Sequence, residues 1–376
     1  MPGRLHVLHI SQPLDGGVPH SVIDLVHDQL RRGWRVSAAC PEQSDVAGAM
    51  QSSGAEHVVW DATRAPGFAV PGEIRRLARI IRELDPDIVH LHSSKAGLAG
   101  RLALRSRRPT VFHPHGWSFD AVGGVVAFAA TRWERIATRW SDAILCVSES
   151  ERQRGESRGI RARWIVVPNG VDLEAFSAAS PQDRGEARTR LELAAEPLVV
   201  CVGRLSDAKG QDVLVASWPA VLERVPDAWL ALVGDGPERA ALERSAGPRI
   251  RFVGHRTDVL DWLAAADVVA VPSRREGMSL AMLEAMARAR TVVATDVPGA
   301  REALGDEAGV VLAVGDARAL ADALVERLLQ PDLADAEGRR GRGRAERFHD
   351  LRVGADSIAA LYVAILTERA ASPSYE

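Results

Sequence analysis

Lysine is nearly missing from this chain: of 47 basic residues only Lys95 and Lys209 are lysines. Where arginine is the rule, a lysine suits a place that needs a compact point charge, although chance retention is the simpler reading for Lys95. Cysteine is scarce as well. Cys40, Cys146 and Cys201 lie far apart without metal-ligand spacing, the pattern expected in a reducing compartment. No stretch approaches the roughly 20 apolar residues of a membrane span. The opening MPGRLHVLHISQP has an apolar run too short and interrupted for a secretory leader. The expected location is therefore cytoplasmic, extending to the inner face of the membrane. Nor is there an excess of positive charge: the formal net charge is −3, which argues against a dedicated nucleic-acid binder. The charge is uneven, with 22 basic and 19 acidic residues in 1–175 and the acidic excess in the remainder.

At 376 residues the chain suits two domains. A buried strand, a glycine-bearing turn and a helix ended by Gly33 open a series that recurs. WRVSAACP, DIVHLH, TVFHPH and AILCVS continue the strands, with helices near 72–84 and 97–105 between them. Strands alternating with helices imply a parallel sheet covered on both faces. The first domain is expected over 1–175. A polar stretch, SAASPQDRGEART, then reads as a linker within 176–195. The pattern restarts with LVVCVGRL, AWLALVGDG, IRFVGH, DVVAVPS, TVVATDVPG and AGVVLAVGD, giving a second domain over 196–350. The last helix, 351–376, lacks a following strand and is expected to cross back to the first domain. In doubly wound sheets ligands sit beyond the carboxyl ends of the strands, so the strand-end loops are the places to search.

The segment SRREGMSLAMLEAMA sets Glu276 and Glu284 eight positions apart around a turn and a helix start. Ser279 is placed to cap a helix beginning near Leu280. Its N–H groups and positive dipole end suit a phosphate. Two carboxylates would repel a diphosphate they touched, but they fit hydroxyls on either side of one. Ribose on one flank and a hexose on the other describe a nucleotide-sugar. In VGRLSDAKG, Arg204 and Lys209 can converge on the same diphosphate, with Gly203 and Gly210 allowing a tight path. The glycines of LVGDGPE read better as packing. DGG at 15–17 offers amides to a phosphate. His90 and His92, like His113 and His115, are His-x-His pairs that share a strand face, so a zinc site has to be weighed; no carboxylates complete a ligand shell. DPD at 85–87 reads as a turn rather than a cation ligand.

In order and spacing these pieces resemble the retaining glycosyltransferases of family 4. The resemblance rests on GG near the start, PDIVHLH, HPHG, VPNGVD, VGRLSDAKG, GDGPE, RFVGHR and the Glu-x7-Glu of EGMSLAMLE. It implies the GT-B fold, two Rossmann-like domains facing a central cleft. It further implies transfer of a hexose or N-acetylhexosamine, from UDP ahead of GDP, to a hydroxyl of a glycan, lipid-linked sugar or small molecule, with no metal and no further cofactor. Arg204 and Lys209 match the diphosphate pair, Glu284 the ribose ligand and Glu276 the glutamate on the donor sugar. The N–H groups of Met278, Ser279 and Leu280 match the phosphate cradle. Gly16 and Gly17 match the glycines that close on the donor, and His115 the histidine near the transferred sugar. His255 and Arg256 are nearest the base. A nucleotide-sugar 2-epimerase and a non-catalytic sugar-nucleotide module are the alternatives. A dinucleotide oxidoreductase is disfavoured because no Gly-x-Gly-x-x-Gly follows the first strand. GWSFDAVGGVVAFAATRWERIATRW combines aromatics with Arg132, Arg135 and Arg139, which suits either a buried helix or a membrane surface.

Overall fold

The computed structural model describes residues 4–63 and 67–371, and the chain divides into two compact units. The first contains residues up to Pro168 and returns from Arg352; the second is Asn169–Leu351.

The first unit is built from β1 (His6–Ser11), α1 (Gly17–Arg31), β2 (Arg35–Cys40), α2 (Asp45–Ser53), β3 (Glu56–Val59), α3 (Val70–Leu84) and β4 (Ile88–His92). It continues with α4 (Ser93–Leu104), β5 (Thr110–His113), α5 (Gly124–Ala137), β6 (Ala143–Cys146), α6 (Glu149–Ser157) and β7 (Trp164–Val166). Its seven strands pair in parallel in the order β3-β2-β1-β4-β5-β6-β7. Strands β1, β4 and β5 at its centre are short and buried along their whole length, as parallel strands between helix layers must be, and histidines alternate with their apolar residues. On one face Leu8, Ile10, Val89, Leu91 and Phe112 pack with Leu77, Ile80 and Ile81 of α3 and with α4. Two buried ion pairs hold this layer: Lys95 Nζ to Glu73 Oε2 at 2.6 Å, and Arg101 Nη2 to Glu134 Oε2 at 2.8 Å. Lys95 is thus a specific partner of Glu73 rather than a chance survivor. The DPD segment is a turn. Asp85 ends α3 in a left-handed conformation, and the Asp87 carboxylate accepts the His6 N–H at 2.7 Å.

The second unit runs through α7 (Pro181–Arg190), β8 (Leu198–Val202), α8 (Gln211–Arg224), β9 (Trp229–Val233), α9 (Arg239–Ser245), β10 (Ile250–Gly254), α10 (Val259–Ala265) and β11 (Val268–Val271). It then has α11 (Leu280–Ala287), β12 (Thr291–Thr295), α12 (Ala300–Leu304), β13 (Gly309–Leu312), α13 (Ala317–Leu329) and α14 (Pro331–Phe348). Six parallel strands lie in the order β10-β9-β8-β11-β12-β13. Leu214, Trp218 and Val221 of α8 and Leu320 and Leu324 of α13 pack against Val199, Cys201, Leu230 and Leu232 of the sheet.

Residues 176–195 are not the linker their polarity suggests. Ser180 and Asp183 form a capping box that starts α7. Arg188 anchors that helix, bonding the Ala265 carbonyl at 3.1 Å and the Asp267 carboxylate at 2.9 Å. Nor does the first unit reach residue 175. Asn169 Nδ2 donates to the Met278 carbonyl at 2.8 Å and Val171 bridges to Asp350, which binds this stretch to the second unit. The last helix, α15 (Leu351–Ala371), packs Ile358, Leu361, Tyr362 and Ile365 against Val7, Ile88 and Val111 of the first sheet. Residues 372–376 of the expected segment lie outside the described residues.

Candidate active site

In the second unit, the loops after β10, β9, β8 and β11 leave the carboxyl ends of adjacent strands. Arg204, half-buried, and Lys209 lie in the loop after β8. That loop folds onto the one after β11: the Arg274 N–H donates to the Ala208 carbonyl at 2.8 Å. Gly210 makes this possible. It has φ 66°, and a Cβ there would collide with the Pro272 carbonyl. The consequence is direct contact between two predicted residues, since Lys209 Nζ forms an ion pair with Glu276 Oε1. The same oxygen accepts the Ser273 hydroxyl at 2.9 Å. The lysine is 27 % exposed and the glutamate 14 %, so the pair is shielded yet reachable.

Helix α11 begins at Leu280, with Ser279 in the N-cap position, but the expected cap is not made. The Ser279 side chain forms no cap hydrogen bond, and its Oγ is buried without a partner among the described residues. The first turn of α11 holds no acidic residue either. Among the described residues no side chain caps its leading N–H groups, which carry the positive end of the helix dipole. Met278 is buried, and Glu284 is half-buried within the helix. Gly299 packs against the Gly277 carbonyl and supports the turn from the next loop. His255 and Arg256 are exposed after β10, and Arg256 bonds the Asp258 carboxylate at 2.8 Å. Gly234 and Gly236 pack against the backbone of Gly203 and Leu205, so the LVGDG glycines set loop spacing.

The first unit contributes a different chemistry. Gly16, φ 92°, is the N-cap of α1, and Gly17 is its first residue; a Cβ at Gly16 would meet nothing. The space beside this helix start is open, and its first turn is free of acidic residues. His115 follows β5 with a left-handed backbone, φ 53°. It belongs to a nest of five histidines, because register pairs His9 with His90 across β1–β4 and His92 with His113 across β4–β5. His92 Nδ1 lies 3.1 Å from His115 Nε2, His92 Nε2 lies 2.9 Å from His9 Nδ1, and His9 Nε2 lies 2.9 Å from Gln29 Oε1. The His113 and His115 rings stack with centroids 3.6 Å apart. Burial drives all five toward the neutral form. His9 is lowered to about 4 and His115 to about 3, and His90, His92 and His113 fall well below the ordinary value.

Two sets of three, His9–His90–His92 and His92–His113–His115, bring ring nitrogens within 4.8 Å of one another, the separation a bound cation would ask for. His92 is common to both sets, and both of its nitrogens are engaged with other histidines. The arrangement is an imidazole network before it is a ligand shell.

Comparison with known proteins gives the family. Residues 15–175 match the model of Glycosyltransferase Family 4, and residues 196–330 that of Glycosyl transferases group 1. A phosphatidyl-myo-inositol mannosyltransferase of Mycobacterium leprae is 30 % identical over 373 residues, covering 94 % of each chain. The chain belongs to glycosyltransferase family 4. A GDP-mannose-dependent alpha-(1-6)-phosphatidylinositol monomannoside mannosyltransferase of Mycobacterium tuberculosis is 34 % identical, over 75 % of this chain and 80 % of its own. Among solved structures, the Anabaena protein HepE in complex with UDP and glucose superposes with a TM-score of 0.83 at 22 % identity, over 96 % of this chain and all of its own. The fold is GT-B, and the chain is a glycosyltransferase.

Within this family 4 chain, the residues expected at the site fall at strand ends and helix starts of their own units. Sequence reading missed two features: the direct Lys209–Glu276 pair, and the line from His115 back to Gln29. The first comes from a fold of one loop onto another. The second depends on strand register, which only the His-x-His alternation foreshadows.

Proposed function

We propose that the protein transfers a hexose, with retention of anomeric configuration and without a metal ion, from a nucleoside-diphosphate sugar to an acceptor hydroxyl. The observation that carries this is the uncapped start of α11 beside Lys209, itself held by Glu276. The α11 N–H groups, Lys209 and Arg204 take the diphosphate, Glu284 the ribose and Glu276 the sugar. His255 and Arg256 flank the base, and Gly16, Gly17 and His115 serve the donor from the first unit. As the bond to the sugar breaks, charge grows on the departing diphosphate, where the lysine, the arginine and the helix dipole stabilise it. The leaving phosphate accepts the acceptor's proton on the same face of the sugar. GDP-mannose leads the donor panel because the two relatives described, at 30 % and 34 % identity, are mannosyltransferases, one named GDP-mannose-dependent. UDP-glucose follows, supported by the UDP-bound structural neighbour.

The acceptor reading is a lipid-linked or glycan hydroxyl approached from a membrane surface. No described helix is long and apolar enough to cross a membrane. α5, however, leaves Val125, Val126 and Phe128 exposed and carries Arg132 and Arg135, with Arg139 just beyond it. Peripheral attachment at the cytoplasmic face is the reading these exposed residues support. The decisive assay follows nucleoside-diphosphate release from GDP-mannose and UDP-glucose with EDTA present. Slow release by the wild type, cut at least about tenfold in Lys209→Ala, supports the reading. Absence of release from either donor, or full loss on chelation with recovery on adding manganese, overturns it.

A further inference from the structure

The line of hydrogen bonds from Gln29 to His115 has a direction. The Gln29 carbonyl oxygen faces His9 Nε2 at 2.9 Å. The amide thus presents its oxygen to His9. A carbonyl oxygen accepts only, so His9 carries its proton on Nε2 and its Nδ1 is an acceptor. His92 must then donate from Nε2 to His9 Nδ1 at 2.9 Å, which leaves His92 Nδ1 as an acceptor. His115 must donate from Nε2 to His92 Nδ1 at 3.1 Å. Each neutral imidazole has one proton, so one amide orientation sets three tautomers in turn.

We propose that Gln29, His9 and His92 are positioning residues that hold His115 neutral, with its proton on Nε2 and an unprotonated Nδ1 for a substrate hydroxyl. The assignment rests on the reading of His115 as a donor-site histidine. Three further observations agree with it. Gln29, His9 and His92 are almost completely buried, so water does not compete for the relay. Desolvation lowers His9, His92 and His115 toward the neutral form, as the relay requires. Gln29 also lies on α1, the helix whose start carries Gly16 and Gly17. The helix that opens toward the donor and the histidine that meets its sugar are thus tied by three bonds. His115 needs such support, since its left-handed backbone is uncommon for a residue with a side chain. In this state His115 accepts a hydrogen bond from a sugar hydroxyl and has no proton to give to a leaving group.

The test is long-range 15N–1H correlation spectroscopy on the full-length protein labelled at histidine, with resonances assigned from single histidine variants. In the wild type, His115, His92 and His9 should each show a protonated Nε2 and an unprotonated Nδ1. Gln29→Met removes the acceptor that sets the direction, and a share of His115 should move its proton to Nδ1. With whichever of GDP-mannose or UDP-glucose turns over, Gln29→Met should lower kcat about tenfold with KM within about twofold. The double variant Gln29→Met/His115→Ala should be no slower than His115→Ala, because the glutamine acts only through the histidine. A wild-type His115 protonated on Nδ1, tautomers unmoved by Gln29→Met, or additive losses in the double variant would each overturn the proposal. If neither donor turns over, the transferase reading fails, while the spectra still decide the relay.

Discussion

Lys209 and Glu276 hold each other, which on the proposed reading couples two parts of the donor that sequence treats separately. On that reading the diphosphate draws the lysine away from the carboxylate, and the sugar hydroxyls replace the lysine on the glutamate. Glu276→Gln keeps the shape and an acceptor oxygen but releases Lys209. Nucleoside diphosphate alone should then bind several-fold more tightly, by on the order of 1 kcal/mol for a partly shielded pair, while kcat falls. Glu284→Ala should behave oppositely, weakening donor and free nucleotide alike and acting mainly on KM, because ribose is unchanged in the reaction. Titration calorimetry with GDP and UDP, beside steady-state rates, separates the two. Weaker nucleotide binding by Glu276→Gln would show that the ion pair builds the phosphate site rather than guarding it. Both glutamates were legible in the sequence through the eight-residue spacing and the helix start between them. Their partners were not, because Lys209 reaches Glu276 only after Gly210 lets one loop fold onto the other. Ser279 marked the start of α11 without capping it, since residue type fixes what a side chain can bond and not where it points.

At the level of elements, α5 is held from beneath and bare above. Glu134 is 2 % exposed and bonded to Arg101, which is fully buried, donates from Nε to the Gly97 carbonyl at 2.7 Å and lies over the Phe112 ring at 3.9 Å. Burial pushes the glutamate up and the arginine down, and each holds the other in the charged form. Glu134→Ala leaves a buried guanidinium without its counter-charge, which costs about 3–5 kcal/mol. Differential scanning calorimetry should show the first unit melting roughly 10 °C lower. A shift of a degree or two would mean that Arg101 finds water or another acceptor. On the outer side, Val125 is 83 % exposed and Phe128 63 %, so sedimentation with anionic phosphatidylglycerol vesicles should be strong for the wild type and weak for Phe128→Asp. Equal sedimentation of the two would remove α5 from the membrane reading. Strand–helix alternation made the two sheets legible, because parallel strands buried on both faces announce themselves as short apolar runs. The linker reading failed on α7: a polar surface helix has no apolar stripe, and its signal was the Ser180–Asp183 box alone.

Over the whole molecule, histidine is distributed unevenly: nine of the 11 lie in the first unit and only His255 and His349 in the second. Five of the nine form the buried nest, each with its pKa depressed by burial. Such a group stays unprotonated in the fold but takes a proton near 6.5 when the chain unfolds, so stability present at neutral pH is lost as pH falls. For His9, lowered to about 4, the window runs from 6.5 down to 4 and amounts to on the order of 3 kcal/mol. The other four are lowered in the same direction and lose stability over the same fall in pH. Calorimetry at pH 7.5, 6 and 5 should therefore show the first unit's transition falling below that of the second. Limited pepsin digestion at pH 5 should cut the first unit before the second. His113 sharpens the test, because neither of its ring nitrogens has a hydrogen-bond partner among the described residues. His113→Leu removes a buried proton acceptor without breaking a bond, so it should raise the Tm more at pH 5 than at pH 7.5. An equal shift at both pH values would mean that the gain comes from packing alone. A transition that stays flat from pH 7.5 to 5 in the wild type would mean that the nest opens to water before it is protonated.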